Sequence, residues 1–214
     1  MAWIRALIVH PAEMSVAAQL NLHGLQQMLE QEGVPFVVCR ASELPALQLA
    51  AADVLIVADQ QCLSEAEETC VAEAASKLPV IWCGLPRPEA SSRLLQLLGI
   101  RALAFSPPYE FVTDLRLRPH PVTAPYTEPW EVNLKLKHVP YLTEGTALEG
   151  DEVIAHELED GAHLAPALVV RDEAPRRVVW SFPLGYFFAV ATCRHIEIRL
   201  DAEWLSWPIM AYVD

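Results

Sequence analysis

A cysteine lies at the end of the apolar run Pro79–Gly84, directly before a segment that we expect to be helical. A thiol in that position gains thiolate character from the helix N-terminus and from a nearby cation, for which Arg87 is the candidate. Cys83 is therefore the candidate catalytic nucleophile of the chain. The alternative is a small, half-buried residue at a crossover, and no histidine can be assigned from the sequence as the base for Cys83.

Polar side chains follow two other apolar runs and, together with Arg87, are the candidate ligand-binding residues. His10 and Glu13 follow the first run. Asp59 and Gln60 follow the third. In the commonest order of such strands, 2-1-3-4, these two loops flank the topological switch point, where a small polar ligand would meet them. The alternative is that the side chains cap free backbone N–H groups of their own loops.

The spacing of residues predicts neither a metal site nor a cofactor. The chain has 5 cysteines but no C-x-x-C pair, and it has no G-x-G-x-x-G or Walker A pattern. His195 and Glu197 would share one face of a strand, but the sequence shows no third partner for them. His120 precedes Pro121 and is expected to be a turn residue. We therefore expect no cofactor and no metal ion.

The composition is that of an acidic globular protein. The 214 residues are 53% hydrophobic and 20% charged, and the net charge is −13. This charge argues against nucleic acid and anionic membranes as partners. The sequence has no apolar run of about 18 residues and no signal-peptide pattern at Met1, so we expect a cytoplasmic location and no membrane association.

Apolar runs alternate with helix-like segments in the first half of the chain. Nearly continuous apolar runs are typical of strands covered on both faces, and the alternation predicts a mainly parallel sheet in a flavodoxin-like α/β sandwich of three layers. Ser64 and Glu67 form a capping-box pattern, and Gly33 and Gly99 are natural helix ends. The predicted strands are Ile4–His10, Pro35–Arg40, Asp53–Asp59 and Pro79–Gly84, and the predicted helices are Ser15–Glu32, Ala41–Ala51, Ser64–Lys77 and Glu89–Leu98.

The pattern changes after Gly99. Residues 101–165 are rich in proline, threonine and alternating apolar residues, which predicts a β-rich elaboration of the sheet. Residues 166–214 are expected to hold a late hairpin and a C-terminal segment. We therefore expect a single domain over 1–214, with a β-α core over 1–100. The predicted later strands are Tyr109–Leu117, Val132–Val139, Val153–Leu158, Leu168–Val170 and Arg177–Phe182.

Aromatic side chains are concentrated near the end of the sequence. Aromatic faces can stack on sugar rings or anchor subunit contacts, and core packing is the alternative, favoured for Trp180. For the run Gly185–Phe188 we expect a buried or subunit-facing patch, because contiguous exposed apolar surface is rare on soluble monomers. The expected partners are a small polar ligand or sugar, a second copy of the chain, or an enzyme partner. The aromatic residues are Trp130, Trp180, Tyr186, Phe187, Phe188, Trp204 and Trp207.

Three stretches follow one another in a recognisable order. They are Asp53–Glu67, the turn His120–Thr123, and the hairpin from Pro166 to Gly185, in which Arg177 precedes a strand that ends in Phe-Pro-x-Gly. Together they resemble the class I glutamine amidotransferase-like superfamily, and within it the ThuA-like proteins and the trimerisation domains of some β-galactosidases. The resemblance implies a flavodoxin-like sandwich and a link to carbohydrate metabolism.

The catalytic motifs of that superfamily are not matched. Active amidotransferases place the nucleophilic cysteine in a Gly-x-Cys-x-Gly elbow, where small neighbours permit a strained turn. Here Trp82 precedes Cys83, and prolines follow it. The catalytic His-x-Glu is expected where Phe182–Leu184 lies, and the His-x-Glu at 195–197 comes about a strand length later. The resemblance therefore implies a retained fold with a lost triad.

Two hypotheses about function follow. The first is a non-catalytic amidotransferase-like domain that acts as a small-ligand-binding or assembly module in carbohydrate metabolism. The alternative is a cysteine-dependent hydrolase or amidotransferase with Cys83 as nucleophile and a histidine brought from elsewhere. The alternative requires a thiol pKa below its ordinary value.

Overall fold

The computed structural model describes the β-α half of the chain and the strands of the second half. Arg87, Trp130, His195 and Glu197 lie outside the described residues, as does the whole segment from Tyr186 onward, so the expectations for them remain predictions. The described residues are 5–47, 49–84, 86, 90–102, 111–121, 132–136, 147–157, 163–173, 176–181 and 184–185.

The described residues form helices and strands in an alternating order through the first half, followed by consecutive strands. The helices are α1 (Val16–Gln31), α2 (Glu65–Ala75) and α3 (Ser92–Leu98). The strands are β1 (Ala6–His10), β2 (Phe36–Arg40), β3 (Val54–Val57), β4 (Val80–Cys83), β5 (Ile100–Ala102), β6 (Phe111–Leu117), β7 (Val132–Leu136), β8 (Ala147–Leu148), β9 (Asp151–Glu157), β10 (His163–Arg171) and β11 (Arg177–Trp180).

Within the described part of the chain, nine strands form one mixed sheet in the order β2-β1-β3-β4-β11-β10-β9-β6-β7. The strands β1, β2, β3, β4 and β11 are joined by parallel pairing. The strands β10, β9, β6 and β7 continue the sheet by antiparallel pairing. A separate antiparallel pair is formed by β5 and β8. The predicted α/β architecture and the strand order 2-1-3-4 are confirmed.

Apolar side chains fill both faces of the parallel strands. The layer under α1 includes Ile8, Ile56 and Ile81. The layer under α2 and α3 includes Val9 and Val57. Because successive side chains of a strand point to opposite faces, a nearly continuous apolar run is buried on both sides. Helices on both faces therefore leave the ends of the strands as the places where polar groups gather.

Local capping residues begin and end the helices. The Ser15 side chain accepts a hydrogen bond from the N–H of Ala18 at the start of α1. Ser64 and Glu67 form the predicted capping box at the start of α2. Gly99 ends α3 with a φ of 70°, a left-handed conformation that favours glycine.

Two predicted helices differ from the observed ones. The segment predicted as one helix over Ala41–Ala51 forms two short 3-10 helices, Ala41–Ala46 and Leu49–Ala51. Pro45 lies inside the first, and its missing N–H does not support a longer α-helix. The helix predicted to begin at Glu89 begins at Ser92, because the Ser91 side chain caps it by accepting from Leu94 N–H at 3.1 Å.

Candidate functional site

The carboxyl ends of β1, β3 and β4 lie along one edge of the sheet, from His10 to Cys83, which we call the carboxyl edge. Val57 pairs in register with both Val9 and Trp82, so the loops after these three strands leave the sheet at one level. The strand order reverses between β1 and β3. This is the topological switch point at which open α/β sheets bind ligands.

Cys83 is a core residue. It is 1% exposed and belongs to the apolar layer under α1. This burial raises the pKa of the Cys83 thiol to about 12. Because β3 separates β1 from β4, the backbones of His10 and Cys83 are two strand spacings apart, roughly 10 Å. These are the properties of a structural thiol, whereas a nucleophile needs a lowered pKa and a base within hydrogen-bonding reach.

The chain turns at Gly84, directly after Cys83. Gly84 has a φ of 105°, a conformation that favours a residue without a Cβ. Its N–H donates to the carbonyl of Trp180 at 3.2 Å, and its carbonyl accepts from Nε2 of Gln60. The turn is thus bonded to β11 on one side and to the loop after β3 on the other.

Two buried amide side chains satisfy backbone carbonyls at the carboxyl edge. Nδ2 of Asn21, from α1, donates to the carbonyl of Ala58, and Gln60 donates to that of Gly84. Gln60 is 1% exposed, and among the described residues its Oε1 has no hydrogen-bond partner. A buried acceptor left unpaired costs on the order of 1–3 kcal/mol.

Asp59 caps its own loop. Its Oδ1 accepts from the N–H of Gln61 at 2.8 Å. Burial raises the pKa of the Asp59 carboxyl, although hydrogen bonds from the Gln61 N–H and the Cys62 side chain act in the opposite direction. The local bond matches the capping alternative, and ligand binding by Asp59 remains a prediction.

His10 and Glu13 lie on the other side of the switch point. Nδ1 of His10 is 2.8 Å from the carbonyl oxygen of Pro11, a distance at which the protonated nitrogen donates to it. Glu13 is exposed. Both residues lie at the carboxyl edge and neither is buried. Their contact with a ligand remains a prediction.

The carboxylate of Glu67 joins α2 to the loop after β1. Its Oε1 accepts from the N–H of Ala12 at 2.8 Å, and its Oε2 accepts from Ser64 N–H at 2.9 Å and Ser64 Oγ at 2.8 Å. Burial opposes ionisation, but these hydrogen bonds and the nearby His10 outweigh it and lower the pKa of Glu67. A buried, charged side chain thus fixes the position of the loop after β1 at the carboxyl edge.

Glu67 and Asn21 were not identified from the sequence as residues of the carboxyl edge. The capping box identified Glu67 as a partner of Ser64, but it carried no information about Ala12. Asn21 lies between Leu20 and Leu22 in a helix, and a polar residue within that apolar spacing was the available signal. Its carbonyl partner is 37 residues away, so the contact depends on how α1 packs.

The described part of the chain contains no group of three or more His, Cys, Asp or Glu residues arranged to hold a metal ion. His120 follows β6 and its Nε2 lies 3.9 Å from Oδ2 of Asp172, away from the carboxyl edge. None of the described helices is both long and apolar enough to cross a membrane.

No family model and no curated protein sequence matches the chain, but solved structures match its fold. An exo-β-1,4-mannosidase from Opitutaceae bacterium strain TAV5 has a TM-score of 0.68 and 9% identity, over 98% of this chain and 36% of that protein. A putative ThuA-like protein from Parabacteroides merdae has a TM-score of 0.61 and 12% identity, over 95% and 90% of the two chains. A glutamine amidotransferase from Thermotoga maritima has a TM-score of 0.59 and 10% identity, over 100% and 97%.

The chain spans about a third of the length of the mannosidase and nearly the whole of the ThuA-like protein and the amidotransferase. At these identities the likeness concerns the fold. The matches agree with the resemblance stated from the sequence. This chain has the class I glutamine amidotransferase-like fold that it shares with ThuA-like proteins.

Proposed function

We propose that this chain is a non-catalytic amidotransferase-like domain that binds a small polar ligand of the sugar class at its carboxyl edge. The observation that carries the proposal is the state of Cys83, which is buried in the core and has a thiol pKa of about 12. At neutral pH such a thiol is protonated and inaccessible, so the chemistry of the resembled amidotransferases has no nucleophile at this position.

The ligand-binding part of the proposal is supported by the polar groups of the switch point. The half-buried Asp59 and His10 and the exposed Glu13 lie at the carboxyl edge, beside the buried Gln60. Hydroxyl groups of a sugar both donate and accept, which matches this mixture of acceptors and an imidazole. The sugar class also agrees with the mannosidase among the structural matches.

Thiol alkylation distinguishes this proposal from a cysteine-dependent enzyme. With iodoacetamide at neutral pH, we expect exposed Cys62 to react readily and Cys83 to react only when the protein unfolds. Peptide mass spectrometry over time gives both rates in one sample, so Cys62 is the internal control. Cys83 reacting faster than Cys62 would overturn the proposal in favour of the hydrolase or amidotransferase alternative.

Thermal-shift titration with a panel of mono- and disaccharides tests ligand binding. A ligand at about 100 times its Kd stabilises the native state by about 2.7 kcal/mol, which is measurable as a rise in Tm. The variant Asp59→Ala removes a half-buried acceptor of the carboxyl edge and should lose the ligand-induced rise, whereas the exposed Gln61→Leu should keep it. Circular dichroism of both variants without ligand checks that each one folds.

If no sugar changes Tm, assembly is the remaining role of the proposed module. In that case sedimentation velocity decides whether the chain forms a homo-oligomer, as the sequence predicts. A protein that remains monomeric across the concentration range and binds no sugar would contradict both forms of the proposed module.

A further inference from the structure

A groove with a basic lining opens at the end of the sheet opposite the carboxyl edge. Arg177, the first residue of β11, pairs in register with Val80, the first residue of β4, which places it at the amino ends of the parallel strands. The groove runs beside the end of α3 and has a volume of about 660 Å³. We call it the arginine groove, and its charged lining residues are Arg93, Arg101, Glu149, Arg171 and Arg177.

One carboxylate in this groove binds three guanidinium groups. Oε1 of Glu149 accepts from Arg101 Nε at 3.1 Å and from Arg101 Nη2 at 3.0 Å. Its Oε2 accepts from Arg171 Nη1 at 3.3 Å and from Arg177 Nη2 at 3.0 Å. Guanidinium groups that converge in this way form a cradle for an oxyanion, and here the chain's own carboxylate occupies part of it.

The lining of the arginine groove carries more positive charge than Glu149 neutralises. Among the residues that the structure describes, the lining has four arginines and one carboxylate, although the whole chain has a net charge of −13. The Arg177 side chain is only 6% exposed, and among the described residues its Nε has no hydrogen-bond partner. That buried nitrogen is not accessible to a ligand, but the positive charge of the more exposed Arg101 and Arg171 favours a further acceptor with negative charge in the groove.

The sign of the charge changes across Glu149. A second groove on its other side shares Arg101, Glu149 and Arg171 but is also lined by Asp151, Asp172 and Glu173. Those carboxylates would repel an anion, which assigns an anionic ligand to the arginine groove. Arg93 lines the arginine groove but not the second groove. It lies on α3, and its Nη1 donates to Thr69 Oγ1 at 3.2 Å, so its position does not depend on Glu149.

We infer that the arginine groove binds a phosphate-bearing small molecule and that Glu149 competes with it as an intramolecular anion. The phosphate oxygens would accept from the guanidinium groups of Arg93, Arg101 and Arg171, with Glu149 displaced from part of its contacts. This site is separate from the carboxyl edge and does not depend on the proposed sugar binding.

Thermal-shift titration of the full chain with inorganic phosphate tests the inference, with sodium chloride at equal ionic strength as the reference. We expect a saturable rise in Tm for the unmodified protein. Arg171→Gln and Arg93→Gln should each weaken the apparent phosphate affinity by about tenfold, the effect of losing one charged hydrogen bond. Arg118→Gln, which breaks an exposed ion pair to Glu152 outside the groove, is the matched control and should leave the affinity unchanged.

The variant Glu149→Gln separates ligand binding from a purely structural role. Without phosphate it should have a lower Tm, because the three arginines lose their counter-charge, and phosphate should then produce a larger rise in Tm than in the unmodified protein. A structural network alone predicts the lower Tm without the enhanced response. The inference is overturned if phosphate acts no differently from chloride, if Arg93→Gln and Arg118→Gln respond alike, or if citrate binds and phosphate does not.

Discussion

Asp59 and Glu67 are carboxylates near the carboxyl edge whose pKa values shift in opposite directions. For Asp59, burial is the larger effect and raises the pKa. For Glu67, hydrogen bonds from Ser64 and Ala12 outweigh burial and lower it. The difference follows from the balance between burial and hydrogen bonds and, for Glu67, from the nearby His10, because hydrogen bonds and an opposite charge favour the ionised form. The two residues should therefore give opposite pH dependences of stability.

We expect Glu67→Gln to destabilise the protein by about 1–2 kcal/mol at pH 7, because an amide cannot accept all the hydrogen bonds that the carboxylate accepts. The folded-state pKa of Glu67 is lowered, so its contribution is complete above the pKa of an unfolded-chain glutamate, about 4.3, and is lost as pH falls through the folded value. Urea unfolding of the variant and the parent at pH 7 and pH 3 should show the difference shrinking on acidification. A constant difference would contradict the assigned role.

For Asp59→Asn we expect the opposite dependence of stability on pH. Because the folded-state pKa of Asp59 is raised, its contribution is present below about pH 3.9 and is lost as pH rises through the folded value. The asparagine variant has no such loss, so its stability should improve relative to the parent between pH 4 and pH 7, where it can still accept from Gln61. If both variants shifted in the same direction with pH, the two environments would have been assigned wrongly.

At the scale of elements, α1 is positioned by close backbone contact as well as by its apolar side chains. A Cβ built on Gly24 would overlap the backbone of Gly185, and one on Gly185 would overlap the backbone of α1 at Asn21 and Leu25. Glycine in a helix normally costs stability relative to alanine. Here its absent side chain lets α1 approach the turn after β11, and this approach carries Asn21 to the end of β3.

We expect Gly24→Ala to destabilise the protein by about 1–3 kcal/mol, the cost of overpacking, although the same change in an exposed helix is stabilising. The control is Glu30→Ala on the exposed side of α1, which should change stability by less than about 0.5 kcal/mol. Chemical denaturation of the two variants measures both. A stabilising effect of Gly24→Ala would show that α1 does not approach Gly185 so closely.

At the scale of the whole molecule, the sheet joins the first half of the chain to the late strand β11. β4 has β3 on one side and β11 on the other, so the parallel strands are completed by a strand from residues 177–180. Trp82 and Ile81 are fully covered in this arrangement. We therefore expect that the β-α segment does not fold by itself, because without β11 one side of β4 would expose unpaired backbone groups and apolar side chains.

A fragment of residues 1–102 should accordingly fail to unfold cooperatively, although it contains β1 to β4 and all three described α-helices. Loss of β11 also removes Trp180 from the core layer under α1. Thermal unfolding followed by near-ultraviolet circular dichroism compares the fragment with the full chain. A sharp transition for the fragment near the Tm of the full chain would show that the first half folds by itself.

The sequence was sufficient for features that depend on residues near one another in the chain. Apolar runs and their alternation with helical segments predicted β1 to β4, and the spacing of Ser64 and Glu67 predicted the start of α2. The order 2-1-3-4 was expected because it is the commonest order of such strands. The short 3-10 segments around Pro45 were missed, since composition favours a helix there without specifying its hydrogen-bond pattern.

Tertiary structure alone decided the chemical state of the candidate site. Cys83 and Gln60 were placed at the ends of strands by local pattern, but their burial depends on α1, β3 and β11, which come from distant parts of the chain. The hydrogen bonds from Asn21 to Ala58 and from Arg177 to Glu149 likewise join distant parts of the chain, the second across 28 residues. Local spacing determines secondary structure through neighbouring residues, whereas the pKa and reactivity of a group depend on solvent exclusion and charges that only the folded chain brings together.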